Sequence, residues 1–257
     1  MSDIDTILDR FPKERPPMTA KEASVHTALM KKNRERLTLF TRVSDILESW
    51  MHRQAARHSE LPLAHRLLEI GAGTLNHLPF ESPEITYDVV EPTSEMYLDK
   101  NEHERIRRFY GNISEIEVEH RYDRIVSIAT LEHVTDLPDT VARAGLLLEQ
   151  GGVFRCGIPS EGGLIWGLSW RLIGLDLFLR TGHDWSQHMR HEHVNSAAEI
   201  IAVIRNFFES VKIRRFPLPF HHLSFYVAIE ARDPRLDRCH AYTLTAKSKS
   251  DRLRAGD

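Results

Sequence analysis

The residues with the plainest chemical meaning are Glu69, Gly71, Gly73 and Glu91. The run Leu67-Leu68-Glu69-Ile70-Gly71-Ala72-Gly73-Thr74-Leu75 is apolar up to an acid, then carries two glycines two residues apart. Glycine lets backbone pass close to a ligand, because no Cβ stands between them. Glu91 closes a second apolar run, and a carboxylate there can accept charge-assisted hydrogen bonds from two neighbouring hydroxyls. Glycine turn and acid together suit a nucleotide-sized ligand. Other residues suit proton transfer. His133 follows a third apolar run, and His183-Asp184-Trp185-Ser186-Gln187-His188-Met189-Arg190-His191-Glu192-His193-Val194-Asn195 packs histidines, acids and an arginine into one stretch. Imidazole titrates near neutrality and is a natural general base.

These residues need a frame that brings them to one edge. Strand-like runs at His65–Ile70, Ile85–Val90, Arg107–Tyr110, Asp123–Ala129 and Val153–Ile158 alternate with helical or turn-rich segments, which predicts a parallel sheet with helices on both faces. A helix over Pro138–Glu149 should stop at Gly151-Gly152. After a helix at Ser196–Phe207, Ser210–Phe216 and Leu223–Ala231 are joined by too short a link for a parallel crossover, so they should pair antiparallel. The fold class is therefore α/β: a Rossmann-like, seven-stranded, mostly parallel sheet with an antiparallel final strand and an N-terminal helical cap. Residues 1–60 form a loose polar arm (1–18) and the cap, in which Thr19 and Glu22 make a capping-box pattern. Residues 61–233 form the main domain, with an insertion over 160–195, and 234–257 form a charged, mobile tail.

Two cofactor readings compete on the residues alone. A nicotinamide site wants Gly-x-Gly-x-x-Gly followed by an acid about 20 residues on; here Asn76 holds the third glycine position, while Glu91 keeps the acid. A P-loop is excluded, since no Gly-Lys-Ser/Thr follows the turn. The ordered set resembles the class I S-adenosylmethionine-dependent methyltransferases. Glu69-x-Gly71-x-Gly73 resembles that family's first motif, and Glu91 with Pro92 its ribose-binding strand end. Gly111-Asn112-Ile113 resembles its adenine-side segment, and Ala129-Thr130-Leu131-Glu132-His133-Val134 the segment lining the methionine end. The resemblance spans roughly Leu61–Ala231 and departs at Leu75, where many members carry a third glycine, and at Asn112, where Asp is common. It implies S-adenosylmethionine as cofactor, with Glu69, Gly71, Ala72, Gly73, Glu91, Pro92, Asn112, Ile113, Ala129 and Leu131 around it.

The histidines then read as the acceptor side. His133, His191 and His193 are the candidate catalytic bases, and Trp166, Arg190 and Asn195 the candidate substrate contacts. His191, Glu192 and His193 are also metal-ligand types, but His-x-His without a further ligand is a weak signal, and no metal is expected. Residues 162–180 are apolar and aromatic and read as a lid. An interfacial helix or a contact with a second copy in a homodimer are its other readings. The segment Met189–Asn195 resembles methyltransferases of bacterial surface-glycan pathways, which implies O-methylation of a small molecule such as a sugar or glycan precursor. A net charge of −3 without a basic stripe, and the absence of an Asn/Asp-Pro-Pro-aromatic segment, argue against nucleic-acid partners. The lack of a leader or a long apolar run, with only two cysteines, suggests a cytoplasmic protein without stable membrane insertion. A nicotinamide-dependent oxidoreductase and a catalytically silent binding domain of the same fold are the rival readings.

Overall fold

The computed structural model describes residues 3–19, 48–57, 66–93, 101–181 and 185–255. Seven strands form one sheet: β1 (Arg66–Ile70), β2 (Thr86–Val90), β3 (Ile106–Tyr110), β4 (Tyr122–Ile128), β5 (Leu148–Pro159), β6 (Phe208–Pro217) and β7 (Ser224–Pro234). Their spatial order is β3-β2-β1-β4-β5-β7-β6. The first five run parallel, and β7 is antiparallel to both β5 and β6. Leu67 and Leu68 are both fully buried, so β1 is covered on both faces, as central parallel strands are. The order reverses between β1 and β4, and in such sheets the crevice at the carboxyl ends of those strands is where ligands bind.

Each face has its own core. On one face Leu68, Ile125, Phe154 and Ile229 pack with α3 (Leu137–Leu147), α6 (Ala197–Phe207) and α7 (Leu236–Ala255). On the other, Leu67, Tyr87 and Val126 meet α2 (48–56), whose Met51 lies against Gly157 so closely that a Cβ there would fall 3.0 Å from Met51 Cβ. Trp50 of α2 stacks on Phe216 of β6 with ring centroids 5.1 Å apart. The helical reading of residues 19–58 is met at 48–56; positions 20–47, with Glu22, lie outside the described residues.

Three expectations need correction. First, α3 ends at Leu147 and β5 begins at Leu148, so Gly151 and Gly152 lie inside the strand rather than at a helix end. They form a bulge: β4 pairs Tyr122 with Leu148 but Arg124 with Val153, and Gly151 has φ +80°. Second, the tail expected to be mobile is helical over Leu236–Ala255 as α7, which docks on α3. Sequence periodicity misses it, because among the described side chains its apolar contacts with the first core are made by Cys239 and Tyr242, too few for a pattern. Gly145 of α3 makes room for Cys239, whose Sγ would lie 3.0 Å from a Cβ there, and Tyr242 meets Phe207 edge-on at 5.6 Å. Third, the N-terminal arm is not loose. After α1 (Asp3–Leu8), Phe11 is buried in the first core, and Lys13 N–H donates to Thr135 O at 2.9 Å.

Cys156 and Cys239 are free and buried. Burial pushes the Cys239 thiol up to about 12. A disulfide-exchange reagent should therefore titrate neither thiol in the native protein and both after unfolding. Rapid native reaction at Cys239 would show α7 undocked.

Candidate functional site

The glycine turn leaves β1 at the switch point. Gly71 (φ +75°) donates its N–H to Val90 O at 2.8 Å, tying the turn to the end of β2. Gly73 (φ +49°) donates to Glu91 Oε2 at 2.9 Å, and Thr93 N donates to Glu91 Oε1 at 2.9 Å. The Glu91 carboxylate is thus buried and held by one bond on each oxygen. Since an ionised carboxylate accepts about four, it keeps capacity for two hydroxyls. Gly71 is required sterically as well as conformationally: a Cβ there would come within 2.7 Å of Thr130 Cβ. Thr130 Oγ1 in turn donates to Gly71 O at 3.2 Å, joining the β1 turn to the loop after β4.

Leu75, the departure from a third glycine, adopts the left-handed backbone of a glycine at φ +61°. That conformation costs a leucine on the order of 1–3 kcal/mol. Its side chain is buried with Ala72 in the second core, and this anchorage holds the strained backbone.

Beneath the turn lies a buried polar layer. Tyr87 Oη donates to Glu69 Oε2 at 2.7 Å, and burial pushes the Glu69 carboxyl up. His77 meets Glu81 at 2.8 Å, and Glu81 is also paired with the buried Arg124, which donates to Ala55 O at 3.1 Å. Glu69 therefore supports the turn from below. Pro92 is exposed beside Glu91.

At the next strand ends, Asn112 is exposed and its Oδ1 accepts from Ser114 N at 2.9 Å, which fixes the turn after β3. Ile113 is buried behind it. Ala129 is exposed at the end of β4 with φ +49°. The Leu131 side chain is fully buried in the first core, so only its backbone is left to meet a ligand at this edge. Asn195 needs correction as a substrate clamp. It is 1% exposed, and its Nδ2 donates to Leu131 O at 2.8 Å and Val134 O at 2.6 Å, so it shapes the loop after β4.

That loop carries His133, and His193 reaches it from the segment after Trp185–Glu192. The His133 and His193 rings meet edge-on with centroids 4.7 Å apart. His193 Nδ1 is paired with Glu161, and His133 Nδ1 lies 2.9 Å from Glu192 O and 3.5 Å from Glu192 Oε2. Placing the proton on Nδ1 in each ring satisfies those acceptors and leaves Nε2 as the basic nitrogen. Glu132, which the sequence reading passed over, is buried behind both rings with Oε2 lacking any hydrogen-bond partner. Burial raises its pKa against the lowering effect of His133, its own backbone and His193. Glu161 was also missed: it stands over thirty residues from His193 in the chain, and no local spacing signals the pair.

His191 lies apart, with Nδ1 2.7 Å from Pro16 O of the N-terminal arm. Arg15 of that arm donates to His133 O at 3.0 Å and to Glu192 Oε2 at 3.2 Å. Arg190 is exposed at the end of α5 (Trp185–Glu192). Trp166 of α4 (Leu164–Thr181) packs edge-on to Tyr226 of β7 at 6.2 Å. Burial raises the Tyr226 pKa, with Glu48 and Glu132 adding to the shift. His183 and Asp184 lie outside the described residues. Among the described residues no three His, Cys, Asp or Glu side chains are arranged to hold a metal ion, and no helix is long and apolar enough to cross a membrane.

With this geometry in place, comparison with known proteins identifies the fold. No protein-family model matches the sequence, and a search of curated proteins finds no match. Solved structures do match. A SAM-dependent methyltransferase from Thermotoga maritima, described as a possible histamine N-methyltransferase, is 19% identical with a TM-score of 0.53, over 72% of this chain and 89% of that one. An O-methyltransferase family protein from Burkholderia thailandensis is 14% identical with a TM-score of 0.54, over 90% of this chain and 68% of that one. The plantazolicin methyltransferase BpumL, solved with SAH, is 12% identical with a TM-score of 0.56, over 90% of this chain and 95% of that one. The chain has the class I methyltransferase fold: a seven-stranded mixed sheet, mostly parallel, with the antiparallel strand near one edge.

Two predictions follow from the site. Leu75→Gly relieves backbone strain of about 1–3 kcal/mol but removes a buried side chain worth about 2–5 kcal/mol, so a net loss of stability is expected in denaturant unfolding. Burial alone would lower the His133 pKa; the Glu192 hydrogen bond and the Glu132 charge outweigh it and raise the value above 6.5. The stabilisation this gives is complete below pH 6.5 and is lost as pH rises through the raised value. The stability deficit of His133→Asn should accordingly be larger at pH 6 than at pH 8.5.

Proposed function

We propose that this protein is an S-adenosylmethionine-dependent methyltransferase that methylates an oxygen of a small acceptor, a sugar or glycan precursor being the leading class. The observation that carries the reading is Glu91, held by Gly73 N at the strand switch point with two acceptor positions to spare. A ribose offers two vicinal hydroxyls to such a carboxylate. Gly71, Ala72 and Gly73 would pass beside the amino-acid moiety, and Asn112 and Ile113 would flank the adenine. When bound, the cofactor supplies an electrophilic methyl group on a sulfonium. The left-handed turn and the buried Glu132 oxygen fit a cationic, ribose-bearing group at this edge.

The chain's own part is to position the acceptor and remove its proton. Glu161 fixes the His193 tautomer so that Nε2 can take a hydroxyl proton, a pairing of carboxylate and imidazole suited to a general base. His133, edge-on to His193, holds the same hydroxyl from the other side. The helices α4 and α5 act as the lid over 160–195, with Trp166 offering a ring face to a flat or pyranose acceptor. The sugar assignment rests on the resemblance of Met189–Asn195 to surface-glycan methyltransferases and on this paired base. A cytoplasmic location belongs to the same reading and is supported by the two free thiols.

Isothermal titration with S-adenosylmethionine and its demethylated product, alongside NAD, tests the cofactor. Glu91→Ala should abolish binding while the fold persists. His193→Ala should bind the cofactor normally and lose 10²–10⁴-fold in turnover, the usual contribution of a general base. Binding of NAD alone would replace the reading with an oxidoreductase, and binding without turnover of any acceptor would favour a silent domain.

A further inference from the structure

A cavity of about 180 Å³ opens on the second face of the sheet, beside the end of α2. Its lining includes Arg57, Arg155, Lys212, Arg214 and Arg232, with Glu230 as the lone carboxylate among them. We infer that this cavity is an anion site for a phosphate group, borne by a monoester or a diphosphate, distinct from the proposed methyl-donor edge.

Three strands and a helix end converge to build it. Lys212 and Arg214 alternate along β6 and so project to one face. Register sets Lys212 opposite Glu230 and Arg214 opposite Ala228 on β7, while Arg155 of β5 faces Glu230 from the other side. Arg57 enters from the end of α2.

The charges do not cancel. Arg155 uses its donors internally: Nε reaches Glu230 Oε2 at 3.0 Å, Nη2 reaches it at 2.9 Å, and Nη1 donates to Ala55 O at 3.2 Å and to Arg57 O. Glu230 also accepts from Arg232 Nε at 3.1 Å. One carboxylate is therefore divided between two guanidiniums with a lysine across the strand. The buried Arg155 reports the resulting field, since burial lowers its pKa and the charges of Arg124 and Arg232 lower it further, against the raising effect of Glu230.

Cations on an edge strand can serve simply to block strand addition. That role needs no convergence with a buried arginine, here one that also satisfies the Ala55 and Arg57 carbonyls at the end of α2, and it does not produce a concave site. Guanidinium forks with a lysine match the several acceptor oxygens of a tetrahedral dianion. The cavity has room for such a group.

Thermal unfolding of the whole chain in pyrophosphate, inorganic phosphate or chloride at equal ionic strength tests the assignment. Saturating pyrophosphate should raise the midpoint by several degrees, and phosphate by less. Lys212→Gln/Arg214→Gln, which alters two exposed side chains, should remove the shift. Arg57→Gln should weaken it from a different element. Arg171→Gln, at an exposed arginine of α4, should leave it intact. Absence of a shift in the parent protein, or a shift undiminished in the double variant, overturns the proposal. Neither result bears on the methyl-donor edge, which shares no residue with this cavity.

Discussion

Two loops touch because residue 71 has no side chain. β1 and β4 are neighbours in the sheet, and the chain leaving each must turn at the same edge. Gly71 lets Thr130 lie directly against its backbone, and the Thr130 hydroxyl closes the contact through Gly71 O. His133 N–H then donates to Thr130 O at 2.8 Å, so the loop that bears the imidazole is registered on the glycine turn. The glycine turn and the histidine-bearing loop are thus one mechanical unit. Their relative position is set by close-packed backbone rather than by long side chains, which suits a displacement whose rate depends on geometry.

Under that edge the protein buries charge. Arg124 is 2% exposed in mid-sheet and is met by Glu81 and by the carbonyl end of α2. Burying ions costs several kcal/mol each, and a hydrophobic replacement of equal volume would often be as stable. Specificity of position is what the pairing supplies here. Arg124 can be satisfied only with α2 at one depth and the Leu78–Phe80 turn at one height. His52 extends the layer from α2, stacked 4.9 Å from Phe80, with its pKa lowered to about 4 by burial and by His77.

The parts of this architecture written in the sequence are those with local periodicity. Alternating apolar runs and turns marked the strands, and the short link through Pro217 and Pro219 foretold the antiparallel pair. The glycine turn and Glu91 were legible because backbone geometry demands particular residue types there. What escaped were long-range matches between ordinary residues. Leu75 looked like a defect in the turn, but its burial lets it stand in a glycine's conformation. Asn195 reads as a ligand contact because it is polar and lies among histidines, yet its Nδ2 donors go to the Leu131 and Val134 carbonyls. Phe11 anchors a polar, proline-rich arm with Ile7 and Leu8 packed beside it, and so few apolar residues make no pattern. The α7 helix shows the same thing at the other end of the chain, resting on Cys239 and the gap left by Gly145.

The arm has a consequence for how the protein is made. Lys13 Nζ is bonded to Val194 O at 2.8 Å and to Glu199, 186 residues later in the chain. Arg15 similarly spans to Glu192 across 177 residues. Domains form from the N-terminus as synthesis proceeds at about 5–20 residues per second. The arm must therefore wait for the 186 residues that separate Lys13 from Glu199 before this contact can form. The candidate acceptor loop cannot be clamped until α6 has emerged. A nascent chain halted before that point would have its sheet centre, glycine turn and arm already made, yet would lack the Glu199 carboxylate on which Lys13 closes.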